Sequence, residues 1–336
     1  MSDIFEAFDG VPRQLWVGTG HQDVEQGTGL SDDMFARAGA DRVDGLGGDD
    51  LILGQRGDDT LVGGSGNDTL RGGKGDDVIE SNAGLDVLVG GRGFDLLSYL
   101  EHSITGGVRI NLDTGSYFGG ASSTIDLDIF SGFEGVIGSR YNDDLRGDVK
   151  DNFLSGRSGR DYILGEGGHD TILGGLGRDT LVGGSGNDYI DGGVTRDVLS
   201  GNGGKDTLIG GQGRDSLNGG SGADVMDGGD KADRLLGDGG DDTMTGGNGA
   251  DVFIFEPGRT DNDVITDFET GPGGDVLGFY YFRVQNSDIQ TIQDVLDRAE
   301  EQNGDTLLRL SATESILLEG VLPDALSAQN ISVDFL

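Results

Sequence analysis

Gly63 Gly64 Ser65 Gly66 Asn67 Asp68 Thr69 Leu70 Arg71 is the stretch from which the rest of the chain can be read. Glycine at its first, second and fourth places allows a tight turn, and Leu70 between two polar neighbours has the pattern of a very short strand. Outward from it, aspartate recurs every nine residues, at 23, 32, 41, 50, 59, 68, 77, 86 and 95. The residue two places on is apolar (Met34, Val43, Ile52, Leu61, Leu70, Ile79, Leu88, Leu97), and only Glu25 breaks the rule. A second run keeps the ruler through Asp143, Asn152, Asp161, Asp170, Asp179, Asp188, Asp197, Asp206, Asp215, Asp224, Asp233, Asp242 and Asp251, with an apolar eighth residue in every frame. Asp95 and Asp143 lie 48 positions apart, which is not a multiple of nine, so the segment between them breaks the phase.

A period of nine fits neither a helix nor a plain strand, whereas a short strand followed by a six-residue turn satisfies it. Two such units close one 18-residue coil. The pattern predicts an all-β fold, a right-handed parallel β-roll in two tracts with an aromatic-rich C-terminal cap. The divisions are a lead at 1–17, a first tract at 18–98, a capping or linking insert at 99–137, a second tract at 138–254, and the cap at 255–336. A flexible Gly/Ser linker would not hold a fixed ruler over so many frames.

Stacked coils place strands about 4.8 Å apart, so aspartates 18 residues apart form ladders along each edge. Like charges at that spacing call for a cation, and carboxylates beside glycine-permitted carbonyls suit Ca²⁺. The candidate metal ligands are Asp41, Asp50, Asp59, Asp68, Asp77, Asp86, Asp95, Asp143, Asp161, Asp170, Asp179, Asp188, Asp197, Asp206, Asp215, Asp224, Asp233, Asp242 and Asp251. Loop carbonyls near Gly48, Gly57, Gly66, Gly75, Gly159, Gly168, Gly177, Gly186, Gly204, Gly213, Gly222 and Gly240 complete the set.

Composition points the same way, with 67 glycines, no cysteine, and 61 acidic against 23 basic residues for a net charge of -38. Each frame buries one Leu-sized side chain, about 2 kcal/mol. Ordering nine residues costs roughly 1 kcal/mol or more apiece, so burial alone does not fold the repeat. One ion between each pair of loops on an edge gives up to about 18 calcium ions.

This nonapeptide resembles the calcium-binding repeat of repeats-in-toxin (RTX) proteins, and the likeness covers most of the chain. Phe133 Glu134 Gly135 Val136 Ile137 Gly138 Ser139 and Asn142 Asp143 Asp144 Leu145 Arg146 Gly147 look like the family's lead-in to a repeat block. Asp251 Val252 Phe253 Ile254 Phe255, Asn262 Asp263 Val264 Ile265 Thr266 Asp267 Phe268 and Asp275 Val276 Leu277 resemble its C-terminal cap. The resemblance implies a bacterial protein exported by a type I secretion system with an uncleaved signal in the last tens of residues. The end, Ile331 Ser332 Val333 Asp334 Phe335 Leu336, is similar to the acidic-plus-apolar tails of exported members. Extracellular calcium modules bind at about 10⁻⁴ to 10⁻³ M, so the chain is expected to cross unfolded and fold outside.

The first 17 residues show neither a basic nor an apolar leader region, and no stretch is long enough to cross a bilayer. The acidic balance argues against a nucleic-acid partner. His21, His102 and His169 stand in no H-E-x-x-H, and no serine lies in G-x-S-x-G. The expectation is therefore a non-enzymatic surface, matrix or adhesion protein. The alternatives are a repeat-borne polysaccharide-modifying or hydrolytic enzyme component and a small pore-former. Arg160, Arg178, Arg196 and Arg214, spaced by 18, stack along one edge and are candidate contacts for an anionic extracellular polysaccharide. The other reading of that ladder is pairing with neighbouring carboxylates. Near the end, Ile289, Ile292, Leu296 and Ala299 have helical spacing behind Ser287 as N-cap. Residues 306–311 and 315–319 read as a hairpin.

Overall fold

The computed structural model describes residues 3–6, 12–80, 82–100, 106–117, 128–256, 261–280, 291–311 and 313–334. The backbone forms two compact units, Met1–Ile163 and Leu164–Leu336. In each, the alternation of one inward apolar residue with two half-exposed neighbours builds a right-handed parallel β-roll of two facing sheets.

In the first unit, Pro12–Val17, Asp32–Ala38, Leu51–Arg56, Thr69–Lys74 and Val87–Arg92 pair in parallel as one sheet. Val24–Gln26, Arg42–Asp44, Thr60–Val62, Val78–Glu80 and Leu96–Ser98 form the other. The register step is 18, as in Ile52 opposite Leu70 and Leu61 opposite Ile79. Met34, Val43, Ile52, Leu61, Leu70, Ile79, Leu88 and Leu97 are at most 1% exposed and fill the space between the sheets.

The break in phase does not interrupt this stacking. Ile129–Ser131 pairs in parallel with Val87–Arg92, and Gly135–Ile137 lies between Leu96–Ser98 and Phe153–Ser155. A hairpin of Arg109–Asn111 and Ser116–Tyr117 is wedged into one sheet, antiparallel to Ile129–Ser131 on one side and parallel to Asp144–Arg146 on the other. The second sheet passes the same point in single steps, with Leu97, Val136 and Leu154 in line. Of the insert's aromatics, Tyr99, Phe130 and Phe133 are buried. Phe118 and His102 lie outside the described residues.

In the second unit the sheets run from Thr171–Leu176 and Thr180–Ser185 to Thr243–Asn248 and Val252–Phe255. Both continue past the end of the ruler. Asn262–Ile265 and Ser315–Leu318 extend one, and Val276–Tyr280 and Ile331–Asp334 extend the other. Phe253 packs on Phe268 and Phe255 on Phe279, with ring centroids 6.0 and 5.6 Å apart. Tyr281, Phe282, Phe335 and Leu336 lie outside the described residues.

The expected hairpin is present, with Asp305–Arg309 antiparallel to Ser315–Leu318. The expected helix is much shorter. It spans Ile292–Leu296 and starts at Thr291, which forms a capping box with Asp294. Ser287 and Ile289 lie outside the described residues. Ala299 belongs to a strand, Ala299–Gln302, which turns back through Asn303 and Gly304 at φ 59° and 99° onto Asp305–Arg309. Asn-Gly with both residues left-handed is a strong hairpin turn, and it overrides helical spacing three residues upstream.

Candidate metal centre

In each unit the aspartates of the ruler, apart from the half-buried Asp23, are buried, and they are joined by the backbone. On one edge of the first unit the N–H of Asp32 donates to Asp50 Oδ1, Asp50 to Asp68, Asp68 to Asp86, and Asp86 to Asp128, at 2.7 to 2.9 Å. On the other edge Asp23, Asp41, Asp59 and Asp77 donate in the same way to Asp41, Asp59, Asp77 and Asp95, and Asp95 to Glu134. In the second unit one ladder runs Asp170, Asp188, Asp206, Asp224, Asp242 and then Asp263. The other runs Asp179, Asp197, Asp215, Asp233, Asp251 and then Asp275.

Each ladder thus recruits rungs that the ruler missed. Asp128, Asp263 and Asp275 sit at other spacings and Glu134 stands nine before Asp143 as a glutamate, yet each is followed two places on by an apolar core residue: Phe130, Ile265, Leu277 and Val136. Acid, any residue, apolar is the signal that survives when the turn length changes.

One carboxylate oxygen is therefore fixed by the backbone, and the fate of the other divides the turns. Oδ2 of Asp41, Asp50, Asp59, Asp68, Asp77, Asp95, Asp197, Asp206, Asp215, Asp224, Asp233, Asp242 and Asp251 is buried with no hydrogen-bond partner. In these turns the second place is held left-handed, by glycine or by residues such as Gln55 and Asn202 at φ 78° and 71°, and the fourth is too except at Gly213 and Gly249. A Cβ on Gly201 would run into Asp206 Oδ2 and lie 2.6 Å from the Gly219 carbonyl oxygen, so two oxygens from successive coils face one small space. At the fourth place, a Cβ on Gly66 would strike the Gly48 carbonyl oxygen. We call these turns open.

Four turns, all in the first unit, are closed. The Thr19 and Thr28 N–H groups donate to Oδ2 of Asp23 and Asp32, both at 2.6 Å. The Ser139 N–H donates to Asp143 Oδ2 at 2.7 Å, while Val108 N–H and the Ser139 hydroxyl hold Oδ1. The Asp148 N–H donates to Asn152 Oδ1, and Asn152 Nδ2 donates to the Glu134 carbonyl. These are the first two turns of each tract, where Thr, Ser or Asp replaces the second glycine.

The open turns carry most of the electrostatic strain, although burial also lifts the closed-turn Asp143 to about 6. Burial pushes the carboxyls of Asp50, Asp77, Asp233 and Asp242 up to about 7 and that of Asp197 to about 8, and adjacent rungs push the same way against the rung N–H. An anionic oxygen buried without a donor costs several kcal/mol. A hard cation removes that cost, and the space is walled by oxygens with carboxylate on one side and carbonyl on another. Among the described residues no three acidic or imidazole side chains converge on a point, so main-chain carbonyls must supply much of a shell. The residues present fit calcium.

Of the arginine ladder, Arg160 lies in the first unit and Arg178, Arg196 and Arg214 in the second. The carboxylate pairing that spacing also allowed is not formed: among the described residues none of the four makes an ion pair.

These features define a calcium-binding parallel β-roll built on nonapeptide turns. The profile of the RTX calcium-binding nonapeptide repeat matches residues 26–61, 62–97, 137–172, 164–199, 173–208, 200–230, 218–253 and 227–265, and the chain belongs to that family. Among solved structures it is similar to the extracellular lipase LipA from Serratia marcescens, at 16% identity and TM-score 0.23 over 89% of this chain and 40% of the lipase. It is also similar to the AlgE6R3 subunit of the Azotobacter vinelandii mannuronan C5-epimerase, at 26% identity and TM-score 0.27 over 44% of this chain and 78% of that one. The chain thus spans well under half the length of the lipase. A search of curated proteins found no match.

Proposed function

We propose that this protein is an extracellular surface, matrix or adhesion component whose roll closes on calcium after unfolded export by a type I route. The observation that carries the reading is the row of buried, donorless Oδ2 atoms in the open turns. Calcium there supplies the positive charge that the burial of these carboxylates requires, and so couples metal binding to folding. The open-turn aspartates and the carbonyls of their loops hold it. The closed turns at Asp23, Asp32, Asp143 and Asn152 take none, which lowers the number of ions below the about 18 that spacing allows. The ladder accounts for most of the buried carboxylates, which favours a binding role over hydrolysis, and an acidic glycan is the partner proposed for the basic residues.

Calcium titration followed by circular dichroism tests the central claim. The chain should gain β-structure at millimolar calcium and lose it in chelator at neutral pH; a roll already formed in chelator overturns it. Export is tested by detecting the chain in culture medium with and without a type I transporter.

A further inference from the structure

On a chain of net charge -38, three cations of the second unit gather in one place. Arg196, Arg214 and Lys231 line an open cavity of about 280 Å³ with Thr195, Gln212 and Gly213. Among the described residues none of the three makes an ion pair. Lys231 and Arg196 act on the Asp215 carboxylate, drawing it towards its charged form against the larger opposing effect of burial. On the calcium reading that carboxylate faces metal, which leaves the cations for another anion.

The frame that holds them is rigid. Thr195 N–H donates to the Gln212 carbonyl at 2.6 Å, Gln212 N–H to Gly193 at 2.8 Å, and Lys231 N–H to Asn248 at 2.6 Å. Thr195 and Lys231 occupy the fourth place of their turns, where glycine is the rule, with φ of 86° and 78°. A β-branched or long side chain is disfavoured there, as at Gln55 and Asn202 in other turns, so the backbone of the repeat and not the side chain sets the conformation.

The three cations come from three successive coils, so they span about 10 Å along the roll. One inorganic ion is too small to meet all of them. A nucleic acid carries charge more densely than three cations can match on so acidic a body. We infer that this cavity binds a linear acidic polysaccharide bearing a carboxylate or sulfate on successive sugars. The inference rests on the extracellular calcium-folded reading, and it narrows the arginine ladder to Arg196 and Arg214 with Lys231 added.

The test uses the full chain in saturating calcium, with binding measured to oligogalacturonate, to sulfated dextran oligosaccharide, to single-stranded DNA of equal charge, and to inorganic phosphate. One or both carbohydrates should bind, with an affinity that falls as salt rises. Arg196→Gln/Arg214→Gln should lower that affinity at least about tenfold, while Arg109→Gln/Arg146→Gln in the first unit leaves it unchanged. Lys231→Gly separates binding from folding, because it restores the usual glycine: the roll should melt later yet bind more weakly. DNA binding better than either carbohydrate, phosphate competing at equal concentration, no carbohydrate binding, or variants that bind like the parent would each overturn the site. Circular dichroism in calcium separates the readings, since a folded chain that binds no glycan defeats only this inference.

Discussion

The turn Gly27–Asp32 of the first unit and the turn Gly201–Asp206 of the second each end on a ladder aspartate at the sixth place of the repeat, and they treat its charge in opposite ways. In the first, Thr28 stays out of the left-handed region, and its N–H and hydroxyl reach Asp32 Oδ2 at 2.6 and 3.0 Å. In the second, Asn202 and Gly204 are left-handed at φ 71° and 139°, and Asp206 Oδ2 is left buried without a donor. One rung is neutralised by its own turn. The other needs an ion from solution, so the demand for calcium is set turn by turn by whether the backbone at the second place is left-handed.

The largest effect that could break this contrast is that of pH without metal. Burial raises every open-turn carboxyl above its ordinary 3.8, from about 6 at Asp59 and about 7 at Asp50 to about 8 at Asp197, while Asp41 and Asp224 move in the same direction. The folded chain therefore binds more protons than the unfolded one. The resulting stability is fully present below about pH 4 and is lost as pH rises through about 6 to 8. In chelator, acidification from about pH 8 to pH 5 should restore β-structure, read by circular dichroism. In calcium the trend reverses, because protons compete with the metal. A chelated chain indifferent to pH over this range would remove the distinction between open and closed turns.

Asp206→Asn sharpens the contrast at a single rung. The amide keeps an acceptor for the Asp188 N–H but loses the anionic oxygen. At saturating calcium it should cost about 2 kcal/mol in chemical denaturation and lower the calcium count by calorimetry. In chelator the same variant should be no less stable than the parent. Thr28→Ala is the matching change in a closed turn. It removes hydroxyl bonds to Asp32 and from the Leu30 N–H, and should cost about 1 kcal/mol with the calcium count unchanged. A loss of bound calcium from Thr28→Ala would show that the closed turns hold metal.

Sequence made the roll and the in-phase rungs legible, because a period of nine leaves one apolar residue per frame to face inward and one acid per frame to face the turn. Asp128, Asp263 and Asp275 escaped the ruler because the turn length changes while the backbone still delivers the next acid to the same edge, and Glu134, nine before Asp143, escaped it because it is not aspartate. The hairpin at Arg109–Asn111 was equally out of reach, since its neighbours in the sheet are fixed by tertiary pairing and not by local pattern. The closed turns were half visible. Gly18–Gln26 and the frame after it lack the fourth glycine, which marks them as irregular. That the replacement neutralises the carboxylate follows only from the position of the Thr19 and Thr28 N–H groups.

Asn152 shows what a closed turn tolerates. It stands where the ruler puts aspartate, its Oδ1 accepts from Asp148 N–H at 2.7 Å, and its Nδ2 donates to the Glu134 carbonyl at 3.2 Å. An amide donor facing a carbonyl does for that rung what a cation does for an open one. Asp32→Asn should therefore be the mildest change in the ladder, within about 0.5 kcal/mol of the parent in denaturant and with no loss of bound calcium. If it behaves like Asp206→Asn instead, the Thr28 N–H does not neutralise Asp32, and the first coils depend on calcium as the later ones do.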